Sequence, residues 1–221
     1  MKNLWALLKL DITYIKTYWP WTLMFIGIAV IFGLSFQQGI GFMVNLSVFM
    51  VVITLFPYES ADKGLDILYG ALPTNRKSIV TGRFLFLLLV LLVFVAVGLL
   101  GGMAIDFGFH GRVHTASFFT GLAVSVGVYL VFVAWNAPFL FKFGYIKGRI
   151  FFWAFVGVII LVLNFSNLLQ AFGVEDANRF NIFAIAFRNF ALSSIISLSA
   201  GLSAFVLSFF LSQKVYKKKD F

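Results

Sequence analysis

This chain of 221 residues contains no cysteine, and only 11% of its residues carry a charge. The absence of thiols excludes disulfide bonds, thiolate metal sites and cysteine nucleophiles. Soluble domains keep about a quarter of their residues charged, so this chain has too few charges to cover a surface that faces water. It has instead 62% hydrophobic residues, 30 phenylalanines and a mean hydropathy of +1.01. The composition therefore predicts an integral membrane protein.

Residues that carry catalysis are equally scarce. The two histidines, His110 and His114, fall in a segment with Gly108 and Gly111, which we predict to be a flexible connection over residues 106–115. With no third or fourth ligand evident, we interpret them as solvated loop residues rather than a metal site. The middle of each apolar block lacks the ionisable group that ion-driven carriers usually need, and the chain has no G-x-x-x-x-G-K-[ST] motif for ATP. We predict that it is not an enzyme and holds no cofactor of its own.

Six apolar blocks approach the length of about 20 residues that a helix needs to cross the hydrocarbon core. Unpaired backbone groups are costly in lipid, so these blocks are predicted to be helices. We therefore predict an all-α integral membrane fold in which residues 1–221 form a single six-span domain. The predicted spans are residues 21–36, 41–56, 84–105, 119–141, 151–169 and 192–211.

Small residues and one proline mark positions inside the spans. Gly98 and Gly102 have a spacing that permits close helix approach, either within the chain or in a dimer. Pro138 is predicted to kink the fourth span. A packing face is predicted on the sixth span from residues at four-residue spacing, Ser193, Ser197 and Gly201. The segment 170–190, which links the last two spans, is compatible with an extracellular or a re-entrant position.

Residues 2–18 are predicted to form an amphipathic helix at the membrane interface. Its polar face holds Lys2, Lys9, Thr13 and Lys16, and its apolar face holds Leu4, Leu7, Leu8 and Ile15. Asp11 falls on the apolar face, where an unpaired carboxylate would be costly. We therefore predict that Asp11 is paired with a basic loop residue such as Arg149 or Lys147.

Basic residues are distributed unevenly between the two sides of the predicted topology. The side opposite to the two termini holds three of them, Arg112, Arg179 and Arg188. The side of the termini holds fourteen: Lys2, Lys9, Lys16, Lys63, Arg76, Lys77, Arg83, Lys142, Lys147, Arg149, Lys214, Lys217, Lys218 and Lys219. Because cytoplasmic loops carry the excess of lysine and arginine, both termini are predicted to be cytoplasmic.

The polar passage between the second and third spans has the pattern of a docking element. One helical stripe is apolar and consists of Leu65, Leu68, Tyr69 and Leu72. Another face is acidic and consists of Glu59, Asp62 and Asp66. Pro73 ends the predicted helix. A short amphipathic helix at this place could contact a cytoplasmic partner, or it could simply lie on the membrane surface.

This loop also resembles the first intracellular loop of ABC-2 type transporter permeases, which has an acidic residue after span two and a following L-P-x-x-R. Here those positions are Glu59, Leu72, Pro73 and Arg76. Within that family the chain most resembles membrane subunits that export phenol-soluble modulins and similar amphipathic peptides. The resemblance implies that residues 58–76 are a cytoplasmic coupling loop that docks on a separate ATPase, which binds ATP and Mg²⁺. The implied coupling residues are Glu59, Asp62, Lys63, Leu65, Asp66, Leu68, Tyr69, Leu72 and Arg76.

The resemblance further implies a transporter of two permease chains, equal or different, and two ATPases in a bacterial plasma membrane. We expect an exporter of amphipathic or hydrophobic peptides that has no nucleic-acid partner. The alternatives are an exporter of lipids or drug-like compounds, an immunity pump, and a non-transporting scaffold whose loop binds a cytoplasmic partner.

Overall fold

The computed structural model describes residues 2–36, 39–60, 76–113, 115–163 and 190–217. These residues form α1 (Lys2–Thr17), α2 (Trp19–Phe36), α3 (Gly39–Ser60), α4 (Arg76–His110), α5 (Thr115–Leu163) and α6 (Phe190–Lys217). No strand occurs in these ranges, so the all-α prediction is confirmed for them. A helix satisfies its backbone hydrogen bonds internally, which is what such apolar sequences require in lipid.

By length and composition alone, four helical stretches could cross a membrane: Gly39–Phe56, Lys77–His110, Phe118–Val158 and Leu192–Lys217. The third is counted here as one stretch although it reverses at Gly144, as described below. Another would come from α1 and α2 taken together, whose segments Trp5–Thr17 and Trp19–Ser35 meet at 71°. The described residues thus support four candidate spans, or five with this bent pair, and six spans stay a prediction. The end of the predicted fifth span and the link after it fall in residues 164–189, outside the described residues.

Helix α1 has the two faces that its sequence predicts. Leu7 and Leu8 are buried, whereas Lys9, Thr13 and Lys16 are exposed. The helix packs on α3 and α4. On α4 it meets Gly82, where an added Cβ would lie 3.3 Å from the Cβ of Leu7. The missing side chain at Gly82 therefore lets the two helices approach closely, while the position of α1 at a membrane surface stays a prediction.

Helix α5 is a hairpin rather than a straight rod. Gly144 has φ 77° and ψ −179°, which only glycine adopts readily. The rings of Trp135 and Phe155 stack with centroids 4.8 Å apart, and those of Phe139 and Phe151 with centroids 4.6 Å apart. A straight helix would separate positions 12 residues apart by about 18 Å along its axis. The chain therefore reverses at Gly144, and the two arms of α5 run antiparallel.

The hairpin corrects one expectation. The predicted loop from Lys142 to Arg149 is helical except at Gly144, where the chain reverses. Pro138 lies inside the helix, and its kink stays a prediction. Gly148 makes the tight turn possible, because a Cβ at this position would lie 3.2 Å from the Cα of Leu140 in the other arm. The charges of the predicted loop project from the helical turns beside the reversal, where Lys142, Lys147 and Arg149 are exposed.

Glycines also set the contact between α5 and α6, which pack extensively. A Cβ on Gly201 would lie 2.9 Å from the backbone oxygen of Gly127. Next to it, the hydroxyl of Ser197 donates to the carbonyl of Val124 at 3.3 Å. The predicted packing face of the sixth span is confirmed for Ser197 and Gly201, and it is used within the chain.

Helices α3 and α4 also approach closely, at the start of α3 and near the end of α4. The backbone of Gly102 touches the place where a Cβ of Gly39 would lie, so this glycine face is occupied inside the chain. The N–H of Gly39 donates to Oδ1 of Asp106 at 2.7 Å. The carboxylate thus caps the N-terminus of α3, where the helix dipole favours negative charge. Helix α4 continues past Asp106 to His110, so the prediction of a flexible connection is wrong for residues 106–110.

Candidate coupling site at the junction of five helices

The structure places the two ends of the predicted coupling loop. Glu59 is half-buried in the last turn of α3, and α4 begins at Arg76. Helix α3 extends further toward the loop than predicted, since it continues through Pro57 to Ser60. Helix α4 begins eight residues before the predicted third span, which starts at residue 84. The other predicted coupling residues lie outside the described residues: Asp62, Lys63, Leu65, Asp66, Leu68, Tyr69 and Leu72.

A buried ion pair lies just inside these loop ends. Nη1 of Arg83 in α4 is 3.3 Å from Oδ1 of Asp11 in α1, and the two side chains are 5% and 2% exposed. Asp11 is therefore paired, as predicted, but its predicted partners Arg149 and Lys147 are wrong. Those two side chains are exposed beside the hairpin turn, whereas α1 packs on α4 and brings Asp11 to Arg83.

Tyr58 joins the ion pair to α3. The guanidinium carbon of Arg83 lies 4.8 Å from the centroid of the Tyr58 ring. A cation over an aromatic face is attracted by the electron density of the ring, and more strongly when both groups are shielded from water. Tyr58 is only 6% exposed. Arg83 is thus held by a carboxylate of one helix and by an aromatic ring of another.

Aromatic contacts extend the site to α5 and α6. The Tyr58 ring meets Phe141 of α5 edge-on at 5.5 Å, and Phe84 lies 6.5 Å from Phe141. Phe84 also meets Phe205 and Phe209 of α6 edge-on, at 5.2 and 5.1 Å. We call Asp11, Tyr58, Arg83, Phe84 and Phe141 the junction cluster. It connects α1, α3, α4, α5 and α6 near the end of α3 and the start of α4.

The junction cluster connects helices through a buried ion pair and packed aromatic rings. Among residues 2–36, 39–60, 76–113, 115–163 and 190–217, no three histidine, aspartate or glutamate side chains come together to hold a metal ion. His110 is the last residue of α4, and His114 lies outside the described residues. A buried, paired charge surrounded by aromatic rings is a rigid connection, because packed interiors transmit strain. The cluster therefore joins α4 to α1, α3, α5 and α6 through direct contacts.

Reasoning from sequence missed Tyr58 and the true partner of Asp11. The signal was present in the surroundings of Arg83. Its neighbours at helical spacing, Ile79, Val80, Phe86 and Leu87, are all apolar and are all buried in the structure. An arginine on such a face needs an internal carboxylate, and Asp11 is an acid on an equally apolar face.

Comparison with known proteins agrees with this architecture. Residues 6–217 match the family described as ABC-2 family transporter protein. No curated protein matches the chain. The family consists of membrane domains that carry no ATPase site and work with an ATPase subunit. The match covers nearly the whole chain and reaches each of the six helices described above, so this multi-pass membrane protein belongs to the ABC-2 transporter family.

Proposed function

We propose that this chain is the permease subunit of an ATP-driven exporter that moves amphipathic or hydrophobic peptides out of a bacterial cell. In this proposal it pairs with a second permease chain and two cytoplasmic ATPases, with both of its termini in the cytoplasm. Residues 58–76 are the coupling loop. The observation that carries the proposal is the junction cluster, which ties the two ends of that loop to five helices.

The position of Arg83 suits the transmission of movement from the loop. It lies seven residues after the start of α4, which is about 10 Å along a helix. Its ion pair with Asp11 and its contact with Tyr58 join α4 to α1 and α3 at that depth. A push on the loop by the ATPase would move these helices as one body.

The span interiors support an apolar substrate. No charged residue occurs in residues 39–58, 84–105, 115–141 or 190–213, which form most of the described candidate spans. Apolar and aromatic walls favour the apolar face of an amphipathic peptide and disfavour small ions. The same walls also accept lipids and drug-like compounds, so export of these compounds is the second candidate function.

The test is to purify the chain in mild detergent from its native cells and then to reconstitute the complex in lipid vesicles. We expect a P-loop ATPase to copurify in a two-to-two ratio, with ATP hydrolysis stimulated by amphipathic helical peptides. Stimulation by lipids or drug-like compounds alone would replace the peptide assignment. Isolation of a stable complex with no ATPase would favour the scaffold and contradict transport.

A further inference from the structure

A small cavity lies beside the junction cluster, between α3, α4 and α5. It is lined by Thr54, Tyr58, Leu87, Val133, Asn136, Ala137 and Leu140. The volume within which the centre of a water molecule can lie is about 10 Å³. One water needs about 10 to 15 Å³ by this measure. The cavity is therefore of the right size for a single water and too small for an organic ligand.

Two polar atoms of the lining side chains have no hydrogen-bond partner among the described residues. They are the hydroxyl of Tyr58 and Oδ1 of Asn136, and their residues are 6% and 2% exposed. Burying an unpaired polar group is costly, and native structures normally satisfy such atoms with protein groups or ordered water. Both atoms therefore require a partner, and no described residue bonds directly to either of them.

The orientation of the Asn136 amide follows from its neighbours. Its Nδ2 donates to the carbonyl of Phe132 at 2.8 Å. A carbonyl oxygen only accepts, so this amide atom is the nitrogen, and the unpartnered atom is the acceptor oxygen. Thr54 uses its hydroxyl hydrogen on the carbonyl of Val51 at 2.6 Å, which leaves its oxygen able to accept. The lining thus offers one donor, from Tyr58, and two acceptors, from Asn136 and Thr54.

We propose that this cavity is a binding site for one water molecule, which bridges the Tyr58 hydroxyl and Oδ1 of Asn136. The water accepts from Tyr58 and donates to Asn136 and Thr54, which uses three of its four hydrogen-bonding positions, the usual number for a buried water. A metal cation does not fit, because Tyr58 offers a hydrogen and the Arg83 charge already lies over its ring. The bridge joins α3, at the base of the predicted coupling loop, to the α5 hairpin.

The direct test is a density map of the full chain in lipid nanodiscs at a resolution that shows ordered water. We expect a peak within hydrogen-bond distance of both Tyr58 Oη and Asn136 Oδ1. A cavity without such a peak would overturn the proposal. So would a direct hydrogen bond between the two side chains, since no ligand would then be needed.

A double-mutant cycle gives an independent readout. The variants are Tyr58→Phe, which keeps the ring against Arg83, and Asn136→Leu. Losing a buried hydrogen bond should lower the melting temperature by about 2 to 4 °C in a chain of this size. If one water binds both groups, the melting temperature of the double variant should fall by clearly less than the sum of the two single decreases. Additive shifts would contradict a shared ligand.

A matched control is the combination of Asn136→Leu with Ser125→Ala. Ser125 is also a buried polar residue of α5, and its hydroxyl donates to the carbonyl of Gly121 at 2.8 Å. It lies eleven residues from Asn136, about 16 Å along a helix, and does not line the cavity. The melting-temperature decrease caused by Ser125→Ala should therefore simply add to the decrease caused by Asn136→Leu.

Discussion

At the scale of single residues, Asp11 and Arg83 depend on each other. Each would be costly to bury alone, and together they are almost completely removed from the surface. A buried pair of this kind adds little stability compared with well-packed apolar residues in its place, but removing one partner alone is strongly destabilising. Its value to the protein lies in fixing where α1 sits on α4.

We expect Asp11→Asn or Arg83→Gln alone to destabilise the protein by about 3 to 5 kcal/mol, because each leaves one buried charge without its partner. The double variant should lose less free energy of unfolding than the two single variants lose together. Reversible unfolding of the purified chain in mixed micelles measures all three. Lys16→Gln, which removes an exposed charge from the same helix, is the control and should change little. Additive losses for the double variant would show that the pair does not act as a unit.

The sequence shows that Asp11 needs a cation but not which one. Arg83, Lys147 and Arg149 are all basic residues on the same predicted side. The choice depends on how α1 packs across α4, which Gly82 permits and which no local pattern encodes. Tyr58 was missed for the same reason, since its contact with Arg83 joins residues of two different helices.

At the scale of elements, the α5 hairpin reverses direction at one residue, Gly144. Gly144 alone has non-helical dihedral angles within Thr115–Leu163, and its positive φ is a conformation that other residues adopt at a cost. The two arms are then held by stacked rings, including Trp135 on Phe155 and Phe139 on Phe151.

We expect Gly144→Ala to destabilise the chain by about 1 to 3 kcal/mol, the usual cost of an unfavourable backbone conformation. Gly157→Ala, in the second arm, is the matched control, because an added Cβ there meets nothing within 4 Å. Thermal unfolding followed by tryptophan fluorescence would compare them, since Trp135 and Trp153 lie in the two arms. Equal melting temperatures for the two variants would mean that the turn tolerates a side chain.

The crossing of α5 and α6 gives a second expectation at this scale. Gly201→Ala should separate the helices, because its Cβ would lie 2.9 Å from the backbone oxygen of Gly127. Overpacking of this kind costs about 1 to 3 kcal/mol. Gly27→Ala on α2, where a Cβ meets nothing within 4 Å, should be neutral in the same unfolding assay. A neutral Gly201→Ala would contradict a backbone-to-backbone crossing.

Hydrophobic patterning predicts where the helices are but not where they end. Polar residues and proline suggested breaks at Pro57, Asp106 and Lys142, and the helix continues through each of them. Asp106 is satisfied by the N–H of Gly39, a contact between distant parts of the chain that local sequence does not reveal. Lys142 remains exposed beside the hairpin turn, so its charge needs no break in the helix.

At the scale of the whole molecule, the coupling assignment concerns an interface with another subunit. We expect Tyr69→Ala or Leu68→Ala to weaken ATPase binding by about 1 to 4 kcal/mol, the range of interface hot spots. Asp62→Lys with Asp66→Lys should weaken association in a salt-dependent way. Binding and substrate-stimulated ATP hydrolysis in vesicles measure these effects.

The loop variants should still insert into the membrane, because none of the changed residues lies in a predicted span. Insertion therefore serves as the control for folding. Variants of Tyr69 and Leu68 that bind the ATPase and support transport like the parent chain would contradict the coupling assignment, and the loop helix would then be a membrane-surface element.

The hairpin of α5 also has a consequence for biosynthesis. One residue joins the two arms, so we expect the second arm to be made soon after the first. We expect the stacked rings to pair early and the arms to insert as one unit. The turn carries Lys142, Lys147 and Arg149, and in the proposed orientation these charges remain on the side where the chain is made. Insertion of α5 then requires no basic residue of the turn to be translocated.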